Sequence, residues 1–233
     1  MSRRLEVGGP ENVAGRCNAR LALLAVLFSA ISAVLTVLEL MGLTDNLNYL
    51  IFHSIPPQGS VFVRLLSLTA SVAAFIVYAA ILVVYDIAKF GKLRLQTVAL
   101  GISLASSMIV VAVLKALLQV PRPGEQPLHY PFLQALLVSD YYAFPSGHTA
   151  RAVVAAYYIG KRQKPYFRAA LWIWAFSVAA SRVLLGAHWV SDVIASTAIG
   201  LATALIVDCT ARYWVRVYNK FLGRIKVLRL SLD

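Results

Sequence analysis

The sequence predicts an all-α membrane protein with six transmembrane helices, a prediction that rests on its composition and its apolar stretches. The chain has 233 residues, of which 60% are hydrophobic and only 14% are charged. A soluble domain is about 45–50% apolar and about 25% charged, so this chain has too few charges to cover a globular surface in water. The same composition excludes an intrinsically disordered chain, which needs low hydrophobicity and high charge.

Three uncharged stretches predict the first three spans, and three less uniform stretches predict the others. A helix needs about 20 apolar residues to cross the hydrocarbon core. Residues 21–38, 65–85 and 95–114 meet that length or nearly so. No linker or internal repeat divides the chain, so residues 1–233 are expected to form one membrane-embedded domain. The later stretches are apolar but contain ionisable side chains; they are 146–160, 169–186 and 189–207.

The basic residues predict the orientation of the chain. Because cytoplasmic loops carry the excess of Lys and Arg in membrane proteins, both termini are expected in the cytoplasm of a multi-pass cell-membrane protein. The net charge of +12 then marks this orientation, and no nucleic-acid partner is expected. All but five of the 22 basic residues lie at this predicted inner side: Arg3, Arg4, Arg16, Arg20, Lys89, Lys92, Arg94, Lys161, Arg162, Lys164, Arg168, Arg212, Arg216, Lys220, Arg224, Lys226 and Arg229.

The two cysteines, Cys17 and Cys209, are too few for a disulfide framework. Both fall near the predicted cytoplasmic side, which is a reducing compartment. The sequence therefore predicts two free thiols.

Ionisable side chains cluster at the predicted outer ends of the third to sixth spans. Each one costs roughly 2.5–3.5 kcal/mol in a membrane segment on insertion scales. Any single member has an alternative explanation as a polar helix end that snorkels to the interface. Six ionisable residues lie at one depth on four helices, together with the Ser146 and Gly147 that precede His148, and this set of eight favours a functional site instead. The eight are Lys115, Arg122, Ser146, Gly147, His148, Arg182, His188 and Asp192.

The cationic members suit the binding of a phosphate group. Lys115, Arg122 and Arg182 supply positive charge, and the planar guanidinium fork matches phosphate oxygens. Ser146 is placed as an N-cap, and a helix N-terminus binds anions through its free N–H groups. Glycine at position 147 allows the backbone to approach a ligand closely.

The two histidines suit nucleophilic and acid catalysis. His188 and Asp192 are four residues apart, on one face of a helix, so the carboxylate can hold one ring nitrogen and leave the other free to attack. His148 can protonate the departing oxygen as a general acid. No Cys/His spacing for a metal occurs, and carboxylates are too few for a two-metal site. The predicted catalysis is metal-free, with the cations stabilising the transition state.

The order and spacing of these residues resemble the three-part signature of the type 2 phosphatidic acid phosphatase (PAP2) superfamily. Every signature position is filled, and the motifs lie within residues 115–192. The parts are Lys115-x6-Arg122-Pro123, then Pro145-Ser146-Gly147-His148, then Ser181-Arg182-x5-His188-x3-Asp192.

The resemblance implies a catalytic helix bundle of PAP2 type that works without a cofactor. In the family the second histidine attacks phosphorus, the first protonates the leaving group, and water hydrolyses the phosphohistidine. Carried over to this chain, His188 is the nucleophile, Asp192 orients it and His148 is the acid. The residues implied to hold the phosphoryl oxygens are Lys115, Arg122, Ser146, Gly147 and Arg182.

These inferences predict a lipid phosphatase that acts at the extracytoplasmic face. By analogy with the family the expected substrate is a polyprenyl diphosphate, with phosphatidic acid or phosphatidylglycerol phosphate as close alternatives. The expected partners are this substrate and membrane lipids, with no obligate protein partner. Two other functions stay open: a lipid phosphotransferase that uses a hydroxyl acceptor, and a non-catalytic lipid-binding or transport protein. Arg151, one turn after His148, has an open role between substrate contact, ion pairing and snorkelling.

Overall fold

The structure is a computed structural model that describes residues 17–55, 57–161 and 163–230. Four basic residues that the orientation prediction uses, Arg3, Arg4, Arg16 and Arg162, lie outside the described residues. Within those ranges all regular secondary structure is helical, which confirms the predicted all-α class. The α-helices are α1 (Ala19–Leu40), α2 (Asp45–Ser54), α3 (Val61–Leu68), α4 (Val72–Phe90), α5 (Leu95–Leu118), α6 (Phe132–Leu137), α7 (Gly147–Gly160), α8 (Pro165–Leu184), α9 (Val190–Cys209) and α10 (Ala211–Phe221).

Five of these helices are long and apolar enough to cross a membrane: α1, α4, α5, α8 and α9. The fourth predicted span corresponds to α7, whose 14 residues extend about 21 Å at 1.5 Å per residue. That length is shorter than the roughly 30 Å hydrocarbon core. The described residues therefore give five candidate spans plus α7 as a sixth bundle helix, and the prediction of six spans stays a prediction.

The second predicted span, residues 65–85, is not one continuous helix. The chain breaks between α3 and α4, and Ser71 is the N-cap of α4, its hydroxyl accepting a hydrogen bond from Ala74 N at 3.1 Å. A serine favours this capping geometry because its side chain satisfies one of the free N–H groups of the new helix. The span that the sequence placed at 65–85 is therefore α4, shifted toward the C-terminus.

The short helix α7 is the centre of the bundle. Its residues from Thr149 to Ala156 are all buried, and it packs against α5, α8 and α9. Gly200 of α9 makes the closest approach possible, because a Cβ at that position would stand 2.9 Å from Ala150 O and 3.1 Å from Val153 Cβ. Because the bundle buries α7, it also fixes the position of His148, the second residue of that helix.

The prediction of two free thiols is wrong. Helix α1 packs along α9, and this packing brings Cys17, two residues before α1, beside the last residue of α9. The structure joins Cys17 to Cys209 in a disulfide, with a Cα–Cα distance of 4.4 Å. Sequence spacing does not show this pairing, since 192 residues separate the two cysteines.

Candidate functional site

One cavity lies where α5 and α8 finish and α7 and α9 begin, and we call this the site end of the bundle. The cavity has a volume of about 340 Å³. Six of the eight predicted residues line it, while Ser146 and Asp192 lie fully buried behind the wall. The six are Lys115, Arg122, Gly147, His148, Arg182 and His188.

The His188–Asp192 pair has the geometry that the sequence predicts. The Nδ1 atom of His188 lies 3.1 Å from Oδ2 of Asp192, and the N–H of Trp189 donates to the same oxygen at 2.8 Å. His188 is only 3% exposed and Asp192 is not exposed. With Nδ1 held by the carboxylate, Nε2 is the ring nitrogen that is available to attack.

Electrostatics favour the neutral form of this histidine. His188 lies in the loop between α8 and α9, outside the spanning helices. Burial, and then the nearby cations Lys115 and Arg182, lower the pKa of His188 well below its usual value. A lowered pKa keeps the imidazole uncharged at neutral pH, which is the form that can act as a nucleophile.

A tight turn brings His188 to this position. Helix α8 ends at Leu184, and Gly186 adopts a left-handed conformation with φ of +64°, which glycine allows without a steric penalty. Trp189 then secures the start of α9, since its indole Nε1 donates to Pro121 O at 2.9 Å. Its ring also packs against Tyr49 and Phe52 of α2.

The start of α7 is joined directly to the start of α9. The N–H of Ser146 donates to Asp192 O at 3.4 Å. Ser146 is the N-cap residue of α7, as predicted, but its hydroxyl makes no capping bond and instead accepts from the Thr149 hydroxyl at 3.1 Å. A Cβ on Gly147 would lie 3.1 Å from Met108 Cε, so a larger residue here would require the methionine side chain to move slightly.

The predicted cations all contact neutral acceptors. Lys115, which is 4% exposed, donates to the backbone oxygen of Tyr142, and Arg122 donates to the backbone oxygen of Asp140. The Nη1 atom of Arg182 donates to the Ser67 hydroxyl at 2.9 Å. In the part of the chain that the structure describes, Nε of Arg122 and Nε of Arg182 are buried without a hydrogen-bond partner. These donors suit phosphoryl oxygens, because buried polar groups require a partner.

Sequence reasoning missed two positioning residues. Gln119, the C-cap of α5, anchors the following loop because its side chain bonds the backbone N and O of Tyr130 at 2.8 and 2.9 Å. Asn48 of α2 is buried and bonds both the hydroxyl and the N–H of Ser191, at 2.8 and 3.1 Å. No sequence signal marks Asn48, since 143 residues separate it from Ser191.

Two further residues line the cavity beside the predicted set: Asp140 and Arg151. Asp140 lies between α6 and α7, in the connection that begins after Gln119. Arg151 lies on α7, and its side chain points back toward the first turn of that helix. Among the described residues no group of three or more His, Cys, Asp or Glu side chains could hold a metal ion.

A family model named PAP2 superfamily matches residues 96–216. That match runs from the first turn of α5 into α10 and includes every predicted site residue. This chain belongs to the PAP2 superfamily.

The curated relatives match a shorter part of the chain. Phosphatidylglycerophosphatase B from Escherichia coli strain K12 is 36% identical over 75 residues, and the protein of the same name from Shigella flexneri matches equally well. Each alignment covers 30% of this chain and 30% of the relative. The chain is thus aligned to less than a third of the length of these relatives.

Two solved structures share the fold over most of their length. One is a transmembrane PAP2-type phosphatidylglycerolphosphate phosphatase from Bacillus subtilis, with a TM-score of 0.62 and 18% sequence identity. The alignment covers 86% of this chain and 98% of the phosphatase chain. The other is LpxE from Aquifex aeolicus, with a TM-score of 0.53 and 22% sequence identity. That alignment covers 70% of this chain and 92% of the LpxE chain. At these identities the likeness shows a common fold, that of a multi-pass membrane protein.

Proposed function

We propose that this protein is a metal-independent lipid phosphatase that works through a phosphohistidine on His188. The observation that carries this proposal is the buried His188–Asp192 pair, whose histidine lines a cavity. Among the described residues, the cations of this cavity donate their hydrogen bonds to neutral acceptors. Such a cavity is suited to an anion next to a nucleophile. Family membership and the name of the curated relatives support the reaction class.

The proposed reaction has two steps. The Nε2 atom of His188 attacks phosphorus, the bond from phosphorus to the leaving oxygen breaks, and His148 donates a proton to that oxygen. Asp192 keeps the proton on Nδ1 and stabilises the cationic ring that forms. Water then attacks the phosphohistidine, which releases inorganic phosphate and restores His188.

The electrostatic contribution comes from preorganised donors. Lys115, Arg122 and Arg182 face the position where negative charge develops, and the free N–H groups at the start of α7 add to them. Removing one such donor in other enzymes costs about 10²–10³ in rate. Ser146 is proposed to act mainly by holding the start of α7 in place, since it does not line the cavity.

An apolar groove between α4 and α5 supports a lipid as the substrate. The groove has a volume of about 320 Å³ and is lined by apolar side chains that include Phe75 and Leu104. Val72 and Met108, one turn nearer the site end on the same two helices, line the catalytic cavity. The groove therefore begins about one turn from the cavity on both helices, and we propose that a lipid chain in the groove brings its head group toward His188.

The substrate class is tested by phosphate release from purified protein in lipid vesicles. The candidates are a polyprenyl diphosphate, a polyprenyl phosphate, phosphatidic acid and phosphatidylglycerol phosphate, each without an added acceptor. We expect release from at least one of them and none above background from the His188→Ala variant. Strict dependence on a hydroxyl acceptor would indicate the phosphotransferase alternative. Lipid binding without any turnover would indicate the non-catalytic alternative.

The proposal places the site end at the extracytoplasmic face, both termini in the cytoplasm, and residues 1–233 in one domain. The orientation is tested in a background that carries Cys17→Ser and Cys209→Ser. Gln126→Cys, exposed in the loop after α5, should react with an impermeant thiol reagent added to intact cells. Arg224→Cys, exposed after α10, is the matched control and should react only after the membrane is opened. The reverse pattern would contradict the orientation.

A further inference from the structure

The catalytic cavity has a fourth cation that the PAP2 signature does not include. Arg151 lies on α7, three residues after His148, and lines the cavity although it is only 6% exposed. In the part of the chain that the structure describes, no carboxylate forms an ion pair with it. The Asp140 carboxylate, which lines the same cavity, attracts the guanidinium without forming an ion pair with it. The burial of this charge is therefore only partly compensated within the protein.

Two neutral contacts fix the direction of the Arg151 side chain. Its Nε donates to Ala70 O at 3.0 Å, and its Nη1 lies 3.0 Å from the Met108 sulfur. A thioether is a weak acceptor, so this second contact does little to neutralise the guanidinium. The same Nη1 would lie 3.4 Å from a Cβ on Gly147, which places it against the first turn of α7.

These contacts place Arg151 on the side of the cavity that is nearest to the lipid groove. Ala70 lies two residues before α4, and Met108 of α5 is one turn from Leu104, which lines the groove. A lipid with its chain in the groove and its terminal phosphorus at His188 therefore has Arg151 beside the part of its head group nearest the chain. In a lipid diphosphate that part is a second phosphate, whereas in a monophosphate it is an uncharged ester carbon.

We propose that Arg151 binds the chain-proximal phosphate and makes the site select lipid diphosphates over monophosphates of the same chain. This inference rests on the proposed function and on the placement of the lipid chain in the α4–α5 groove. The guanidinium fork suits this role, since it offers two parallel donors to phosphate oxygens.

The proposed contact of Arg151 agrees with where negative charge develops during the reaction. His188 attacks the terminal phosphorus, the bond to the bridging oxygen breaks, and the electron pair stays on that oxygen, which becomes part of a lipid monophosphate. Arg151 stabilises the charge that this leaving phosphate gains. Water then releases inorganic phosphate and a proton from the phosphohistidine. Because the second pKa of a phosphate monoester is about 6, this leaving group needs less help from the His148 proton than an alkoxide does.

The test compares farnesyl diphosphate with farnesyl monophosphate in vesicles that contain wild-type protein, Arg151→Gln or Arg151→Lys. We expect wild-type kcat/KM to favour the diphosphate, and Arg151→Gln to lower it about 30-fold or more for the diphosphate but less than about 3-fold for the monophosphate. Arg151→Lys keeps the charge without the fork, so the diphosphate value should fall only about 5-fold.

Three results would overturn the inference. Equal loss for both substrates in Arg151→Gln would show a purely structural role. If Arg151→Gln does not fold, Arg151→Lys provides the test. An unchanged preference for the diphosphate in an Arg151→Lys protein that unfolds normally on heating would contradict the contact between Arg151 and the chain-proximal phosphate. A wild type that hydrolyses the monophosphate as well as the diphosphate also contradicts it. Release from neither substrate by wild type, nor from the glycerolipid phosphates, would instead refute the proposed function.

Discussion

The two ends of the helix bundle use the same charged residue types in opposite ways. At the opposite end from the site, where α4 finishes and α5 begins, Arg94 Nε lies 2.6 Å from Oδ1 of Asp86, a fully buried carboxylate. On the other side of that end, Lys161 Nζ lies 2.5 Å from Oδ2 of Asp208. Each of these two acidic side chains is matched by a basic one, so these four charges serve the fold.

At the site end, no ion pair joins the four cavity cations to a carboxylate within the described residues, although Asp140 lines the same cavity. Lys115, Arg122, Arg151 and Arg182 are held by backbone oxygens, a hydroxyl and a thioether. Neutral acceptors fix the direction of a cation but leave its charge available to a ligand. The difference teaches that the partner of a buried cation is informative. A cation paired with a carboxylate indicates a structural role, and a cation held by neutral groups indicates a binding site.

The largest expected effect is on the nucleophile. Replacing His188 with alanine should lower phosphate release by about 10³-fold or more, because loss of a nucleophile removes the covalent route and leaves only binding and electrostatic effects. The variant should unfold at a temperature within a few degrees of wild type in detergent. A folded His188→Ala protein with more than a tenth of wild-type kcat would break the assignment of the site end as catalytic.

The comparison itself is tested by matched arginine substitutions. Arg182→Gln at the site end should lower kcat/KM by about 10²–10³ with little change in thermal unfolding. Arg94→Gln at the opposite end should leave kcat/KM within about 3-fold but lower the free energy of unfolding by about 1–3 kcal/mol, since it leaves the Asp86 carboxylate with fewer partners. Similar activity losses for both variants would remove the distinction between the two ends.

A smaller effect is expected at Asn48, which positions the start of α9. Asn48→Ala should lower kcat by about 5–10-fold, because a small displacement of a catalytic group already slows reaction, while KM stays within about 2-fold. Asn46→Ala, an exposed asparagine on the same helix, is the control and should behave as wild type. If KM rises and kcat does not change, Asn48 contributes to binding instead.

The smallest effect is expected from metal removal. Activity should be unchanged within experimental error after incubation with EDTA, because the proposed stabilisation comes from cationic side chains. Vanadate, a phosphate analogue, should inhibit by occupying the same cavity. Loss of activity in EDTA that added Mg²⁺ restores would contradict the metal-free mechanism.

The sequence predicts which residues meet at the site end better than it predicts where the helices begin and end. His188, Asp192 and the cations are recognisable because their chemistry depends on residue type and short spacing, which the chain displays directly. The helix class follows equally from apolar stretches. The break before Ser71 is harder to predict, since a short capping signal lies inside a long apolar run.

What the sequence could not show depends on contacts between distant segments. Cys17 and Cys209 are joined only because α1 packs along α9, and Asn48 meets Ser191 only because α2 folds against the start of α9. The orientation of Arg151 likewise depends on Ala70 O and the Met108 sulfur. Short-range patterns do not encode these tertiary contacts, so the structure was required to find them.

The central claim is that the site end transfers a phosphoryl group to His188. The most direct measurement is rapid quenching of wild-type protein with a lipid diphosphate that is radiolabelled in its terminal phosphate, followed by mapping of the labelled peptide. The account predicts an acid-labile, alkali-stable label on the peptide that contains His188 and no label in His188→Ala. A label on another residue, or any label in that variant, would contradict it.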